Sequence, residues 1–561
     1  MVEREFLTRS LSSLTKVFAD QELKDKAINK GSALLNESYS FQIAYKSRTL
    51  LKDIRVQVNS AFNEKITVRS VGLVPSELPC YHDHDDLILK STPGLYPDPL
   101  YPIYDTDGLI GFPDQWRSVW ITVDLQGDMI PGRYPIEVIF EKENGECLGK
   151  EVFELEVIAA ELPQQKLIHT EWFHTDCLAT HYKVEVFSEE HWRRIEQFVV
   201  TAAKHGMNMI LTPIFTPPLD TEVGGERPTV QLVAVEKSGE RYFFQFEKLK
   251  RWIDLCRKQG IKYFEFSHLF TQWGAKHAPK IVGYENGELK QLFGWETDAT
   301  SLEYRDFLQQ FLPSLLEFIN QNDLEDQCFF HVSDEPHLNQ VESYKNASLI
   351  LQEYLKDFPV IDALSDYTFY EKGIVKNPIP SNDQINAFLE NGVENLWTYY
   401  CCAQYKKVSN RFFSMPSFRN RVLGIQLYKY KIAGFLHWGY NFWYSQYSKK
   451  AIDPFKNTDA NYSFPSGDSF LVYPGENGPI ESIRLEVLHE ALQDLRALQL
   501  LESLVGREQV LALLEEGLND EITFDLYPQD QEWYLYKREQ INDKIKEKTF
   551  KSKGEGVVCQ H

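Results

Sequence analysis

Residues 326–338 read Asp-Gln-Cys-Phe-Phe-His-Val-Ser-Asp-Glu-Pro-His-Leu, and this short run decides the fold. Cys328 to Val332 is largely apolar and suits a strand buried on both faces, as parallel strands of α/β proteins are. Pro336 has no N–H to give a ladder, so the strand stops before it. Asp334 and Glu335 therefore fall at the carboxyl end of a strand, where α/β barrels keep their chemistry.

The same rhythm extends in both directions. Strands are predicted near 167–173, 207–212, 261–267, 327–333, 359–364, 373–378, 394–400 and 433–438. Helices are predicted near 188–205, 246–259, 301–321, 338–356, 382–390, 417–431 and 481–505. Eight strands alternating with helices predict a (β/α)8 TIM barrel over residues 167–505 rather than an open sheet. The sixth strand, Gly373–Pro378, is short and proline-flanked, and 228–246 reads as a hairpin inserted after the second strand. Upstream, 1–162 reads as strands: Ser38–Lys46 alternates, and Ser118–Leu125 and Tyr134–Glu141 flank turn residues. That pattern predicts a β-sandwich domain. Ser91–Pro113, rich in Pro, Tyr and Asp, reads as a long loop, and Leu162-Pro-Gln-Gln165 as the linker. Residues 506–550 read as charged helix and 551–561 as a disordered tail, so 506–561 is a C-terminal helical extension.

A chain of 561 residues exceeds one ordinary domain. The net charge of -23 disfavours nucleic acid and anionic lipid as partners. The opening Met-Val-Glu-Arg-Glu-Phe-Leu has no apolar core of signal-peptide length, and no window suits a membrane span. Eight scattered cysteines without metal-ligand spacing predict free thiols and a cytoplasmic setting. The aromatic share of 14% suits either a Phe-rich core or a protein that holds sugars on flat rings.

Two adjacent carboxylates in a partly dry site repel, so one keeps its proton at neutral pH. A protonated acid beside an ionised one is what leaving-group protonation requires. The competing reading has Asp334 capping the helix near residue 338 and Glu335 in a structural ion pair. Other strand ends favour the first. Strand one ends Glu171-Trp-Phe-His174, and strand three ends Glu265-Phe-Ser-His268 with Trp273 and His277 in its loop. Strand seven reads Trp397-Thr-Tyr399, and strand eight ends His437-Trp438-Gly-Tyr-Asn441-Phe-Trp443. Aromatic platforms with a few convergent polar groups describe a carbohydrate pocket. No His-Glu-x-x-His pair appears, and His331, His337 and His437 lack a third ligand, so neither a metal nor another cofactor is expected.

His331-Val-Ser-Asp-Glu-Pro336, Gly434-Phe-Leu-His-Trp-Gly-Tyr-Asn-Phe-Trp443 and Gly467-Asp-Ser-Phe-Leu-Val-Tyr-Pro-Gly475, followed by Ser482-Ile-Arg-Leu-Glu486, together resemble glycoside hydrolase family 123. They also resemble the broader barrel set called domain of unknown function 4091. The resemblance implies a retaining β-N-acetylgalactosaminidase with substrate-assisted catalysis, an exception to the protein-nucleophile scheme. It implies that Asp334 orients and polarises the acetamido N–H, and that Glu335 protonates the leaving oxygen and then activates water. Trp397 and Tyr399 are expected to wall the acetamido group, and Trp438, Asn441 and Trp443 to line the sugar subsite. Trp172, His174, Trp273 and His331 are expected as neighbours. Two alternatives stay open: a conventional retaining glycosidase, with Asp362 or Asp366 as nearest nucleophile, and a non-catalytic sugar-binding barrel. A carbohydrate is the expected partner, and the sandwich is expected to contribute to a homodimer contact.

Overall fold

The computed structural model describes residues 5–103 and 108–555, with side chains described to residue 550. Contacts divide the chain into two compact units: Met1–Gln165 with Tyr405–Tyr430 and Ile480–His561, and Lys166–Gln404 with Lys431–Pro479.

In the first unit, Phe6–Ser12, Ser38–Ser47, Trp116–Asp124, Ile66–Ser76 and Gly94–Pro102 are neighbours in one sheet, in that order. The other sheet runs Lys30–Leu35, Cys147–Glu161, Gly132–Glu141, Leu51–Asn59 and Leu109–Gly111. The period-2 pattern of Ser38–Ser47 sends Phe41, Ile43 and Tyr45 into a core shared with Ile136, Val138, Phe140 and Phe153. Phe41 stacks on Phe153 with centroids 4.2 Å apart. The opposite face of the strand turns Gln42 toward the Ser12 and Thr15 carbonyls, at 3.1 and 2.8 Å.

Much of Ser91–Pro113, expected as a loop, forms the strands Gly94–Pro102 and Leu109–Gly111. Its prolines sit beside a register shift between Val71 and Leu73, where a ladder tolerates a missing N–H. Helices Phe418–Lys429 and Ile483–Val505, expected to cover the barrel, pack within this unit. Arg421 joins them through Glu490 and Asp494, and Arg538 reaches Asp494 and Glu37. The two helices approach so closely that a Cβ on Gly424 would stand 1.9 Å from the Ala491 carbonyl oxygen. Gly424→Ala is expected to cost about 1–3 kcal/mol of stability, since backbone rather than a flexible side chain must yield. A lowered denaturation midpoint with catalytic constants unchanged at low temperature checks this. Of the expected tail, residues 551–555 continue the helix Gln531–Glu555, and 556–561 lie outside the described residues.

In the second unit six parallel strands are neighbours in the order Cys328–Phe329, Tyr263–Phe266, Met209–Thr212, Ile168–Glu171, Gly434–His437 and Trp397–Tyr399. Ile361–Ala363 and Asn377–Ile379 form a separate parallel pair. Single parallel bridges, Phe330 to Val360 and Ser381 to Tyr399, connect the pair to both ends of the six. One apolar cluster gathers alternate residues of these strands, among them Met209, Leu211, Phe329, Ile361, Ile379, Trp397 and Leu436. The sixth strand occupies 377–379 rather than 373–378 because Pro378 and Pro380 leave few N–H groups for a ladder. The expected hairpin is Ala234–Ser238 with Arg241–Gln245, and it joins an unforeseen second hairpin, Ile281–Glu285 with Glu288–Phe293. Among the described residues, seven cysteines are free thiols, and no helix is long and apolar enough to cross a membrane.

Candidate active site

The fourth strand is shorter than its apolar run suggests. Its ladder covers Cys328–Phe329 with a single bridge at Phe330, and the chain then climbs as irregular backbone to the acid pair. Glu335 adopts φ +42, a left-handed turn residue directly after Asp334. Strand alternation would send these neighbours to opposite faces; the turn lets both line one cavity of about 210 Å³. A side chain held at positive φ is backbone strain of the kind found at functional sites. Asp220, Trp273 and Tyr447, also on the cavity wall, share it. The Asp334 carbonyl accepts the Trp273 N–H at 3.0 Å, and Gln340 donates to the Trp273 carbonyl at 2.6 Å. The Asp334 carboxyl does not cap the following helix.

The Tyr399 hydroxyl donates to Glu335 Oε1 at 2.6 Å. Burial first, and then the neighbouring Glu335 charge, raise the Asp334 carboxyl well above the ordinary range; Asp362 and Asp220 add to this and His331 opposes it. Burial and the neighbouring carboxylate thus favour the protonated form of Asp334.

Trp172, Trp273, Trp438 and Tyr399 line the cavity as the sequence predicts. The Trp172 indole N–H is fixed on Glu265 at 2.8 Å, and that of Trp438 on Asp468 at 3.0 Å. The other expected contacts are corrected. His174 is buried against the Trp438 carbonyl at 2.8 Å and the Arg227 guanidinium at 3.1 Å. Burial and then Arg227 lower its pKa to about 3. Asn441 spends its amide on the His174 backbone, at 2.8 and 3.1 Å. Both brace the loop that carries Trp438. Trp443 is fully buried, donating to the Val472 carbonyl at 3.2 Å. Trp397 packs on Phe329 in the strand core, over Gly434, where an added Cβ would meet its ring at 2.0 Å. His331 is buried between two carboxylates and does not line the cavity.

Asp220, Gln272, Gln446, Tyr447, Phe464 and the pair Cys401-Cys402 line the cavity without having been expected there. Asp220 follows the second strand within Pro217-Pro-Leu-Asp220, so the strand-end rule that singles out Asp334 could have found it. Burial pushes it up to about 6, against the hydrogen bond it accepts from the Tyr447 N–H at 3.0 Å. The two acids offered as alternative nucleophiles are otherwise engaged. Asp362 is buried on His331, Tyr344 and the Val332 N–H. Asp366 caps a short helix through the Thr368 N–H at 2.9 Å.

Potential ligand atoms of His268, His331 and Asp362 lie within 4.8 Å of one another. The two imidazoles are stacked, with centroids 4.1 Å apart and planes at 21°. Lone pairs lying in nearly parallel planes do not converge on one ion at the roughly 2.0–2.1 Å that imidazole nitrogen requires. The residues do not fit a metal.

The profile described as "Glycoside hydrolase 123, catalytic domain" matches residues 172–501. No curated protein sequence matches the chain. A family 123 glycoside hydrolase from Clostridium perfringens, studied for glycolipid glycan hydrolysis, superposes with a TM-score of 0.73 at 15% identity. That alignment covers 97% of this chain and 98% of the clostridial one, so the two share their fold. A β-glucuronidase from Parabacteroides merdae aligns over 81% of this chain and 49% of its own, at 10% identity, with a TM-score of only 0.30. With more than half its length matched by the family's catalytic domain, the chain belongs to glycoside hydrolase family 123.

Proposed function

We propose that this protein is a retaining glycoside hydrolase that releases a terminal β-linked N-acetylhexosamine, N-acetylgalactosamine by family resemblance, through an oxazolinium intermediate. The observation that carries the reading is the placement of Asp334 and Glu335 on one cavity wall, where burial and the Glu335 charge favour a proton on Asp334. A 2-acetamido N–H donating to Asp334 needs an acceptor there, so binding favours ionised Asp334 and moves the shared proton to Glu335. The acetamido oxygen then attacks the anomeric carbon while Glu335 protonates the departing oxygen. Glu335, now ionised, takes a proton from the water that opens the oxazolinium ring. Two inversions give net retention.

Glu335 and Tyr399 also line an adjoining groove of about 600 Å³ with His337, Ser365 and Gln384. The proton donor thus stands between a small aromatic cavity and a larger groove of mixed lining, which leaves room for a leaving group departing past Glu335. The circular neighbour order of the parallel strands supports a closed (β/α)8 barrel as the frame, its carboxyl ends holding both cavities. Asp220 favours one second reading, a conventional retaining enzyme with that carboxylate as nucleophile. Paired nitrophenyl glycosides with and without the 2-acetamido group separate the two. Turnover confined to the acetamido sugars is expected; turnover of plain hexosides, with a carboxylate labelled by a fluoro-sugar, would establish the second reading.

A further inference from the structure

Between the third and fifth strands lies a buried chain of charges. His331 Nε2 is 2.6 Å from Glu265 Oε1, and Nδ1 is 3.2 Å from Asp362 Oδ1. Both acids are otherwise surrounded by donors. Glu265 accepts from the Trp172 indole at 2.8 Å and the Thr170 hydroxyl at 2.7 Å. Asp362 accepts from the Val332 N–H at 3.1 Å and from the Tyr344 hydroxyl. Acids so served are acceptors, and an imidazole facing an acceptor at each nitrogen must donate from both. His331 is therefore an imidazolium between two carboxylates, with the His268 ring stacked on its face. Burial opposes that charge, yet the hydrogen bonds His331 donates to Asp362 and Glu265 prevail and push it up to about 10.

The unit carries one positive and two negative charges and none of its three ionic side chains reaches the cavity. Asp334 feels it directly, with His331 pulling its affinity for a proton down and Asp362 pulling it up. The charged groups that face Asp334 are Glu335 from its own turn, His331 from the irregular backbone after the fourth strand, Asp362 from the next strand and Asp220 from the second-strand loop. Tyr399 adds a hydroxyl on Glu335.

We propose that Glu265, His331 and Asp362 are positioning residues, whose fixed charges set the pH window in which Asp334 and Glu335 share one proton and whose Glu265 end orients the Trp172 indole. This rests on the acetamido-dependent reading above. Removing a negative charge from the unit loosens the pair's hold on both of its protons, so both limbs of the kcat/KM profile should move to lower pH. Asp362→Asn is nearly isosteric: its oxygen can still accept from Val332 and His331, and its amide can donate to the Tyr344 oxygen. A displacement of both limbs by about one pH unit is expected. Glu265→Gln should shift them the same way and also raise KM, because Trp172 loses its ionic anchor. His331→Gln leaves two buried carboxylates uncompensated and is expected to compromise folding, so it is not the decisive variant. Profiles that fall in height with both limbs within a few tenths of a pH unit of wild type would reduce the chain to a structural role and overturn the proposal. Titration of the protonated-carboxyl infrared band, in wild type and Asp362→Asn with Glu335→Gln as assignment control, reads the same shift without turnover. A wild type that splits no acetamido sugar would defeat the proposed function, while the band would still decide this inference.

Discussion

Glu335→Gln is expected to lower kcat/KM by about 10²–10⁴-fold on an N-acetylhexosaminide with a sugar leaving group, the usual scale of general acid catalysis. The amide cannot deliver a proton, and the departing alkoxide must leave unaided. Gln can still accept the Tyr399 hydroxyl, now 2.6 Å from Glu335 Oε1, so the change tests chemistry more than architecture. The leaving group supplies the control. A nitrophenolate needs little protonation, and formation of the oxazolinium from a nitrophenyl substrate should lose much less. Its hydrolysis still lacks the base that activates water, so azide, which attacks without giving up a proton, should restore turnover and yield a β-glycosyl azide. Loss of rate equal for sugar and nitrophenyl leaving groups, or retention of more than a tenth of the wild-type rate on the sugar substrate, would remove Glu335 from the acid role.

How far such a site could be read beforehand depended on which physical rule governed each residue. Regular elements were legible because burial imposes a period: the helix expected at 188–205 is Glu189–Lys204, and that at 301–321 is Leu302–Gln321. The strand-end rule placed Asp334, Glu335, Trp172 and Trp438 at one mouth, because a proline or the end of an apolar run marks where a ladder stops. It could not tell which way a side chain turns once the ladder has stopped. His174, Asn441 and Trp443 sit at the right ends of the right strands, yet their polar atoms are consumed by neighbouring backbone. Trp397 shares the face of Tyr399, two residues on, but lies one pleat deeper: its ring packs over Gly434 in the core, and only Tyr399, farther along the strand, reaches the cavity. Tyr447 and Gln446 come from the long loop after the last strand, where no periodicity exists to read. His331 does not line the cavity, and its pairing could not be read in advance, since its two carboxylate partners lie 66 and 31 residues away in the chain.

Asp334→Asn should cut kcat/KM on 2-acetamido sugars by about 10²–10³-fold, the scale seen when one preorganised polar contact to developing charge is lost. In the oxazolinium-forming step the acetamido nitrogen becomes more positive, and an anion facing its N–H gains strength as the transition state is approached. An Asn oxygen still accepts the N–H but offers no charge, so the loss should fall on kcat more than on KM. The empty protein should respond in the opposite sense. Burial and the Glu335 charge make an ionised Asp334 costly and favour its protonated form. Replacing it with a neutral isostere removes a titrating group without opening a cavity, so the thermal midpoint should be unchanged or higher. Stability and catalysis would then separate at a single atom, as they do where a site keeps strain for its reaction. Measuring both on one preparation makes the test sharp. A variant that loses activity and stability together would make Asp334 a structural acid. One that keeps wild-type kcat would show that no anion is needed beside the acetamido group, and would return the nucleophile to the protein, with Asp220 the first carboxylate to replace.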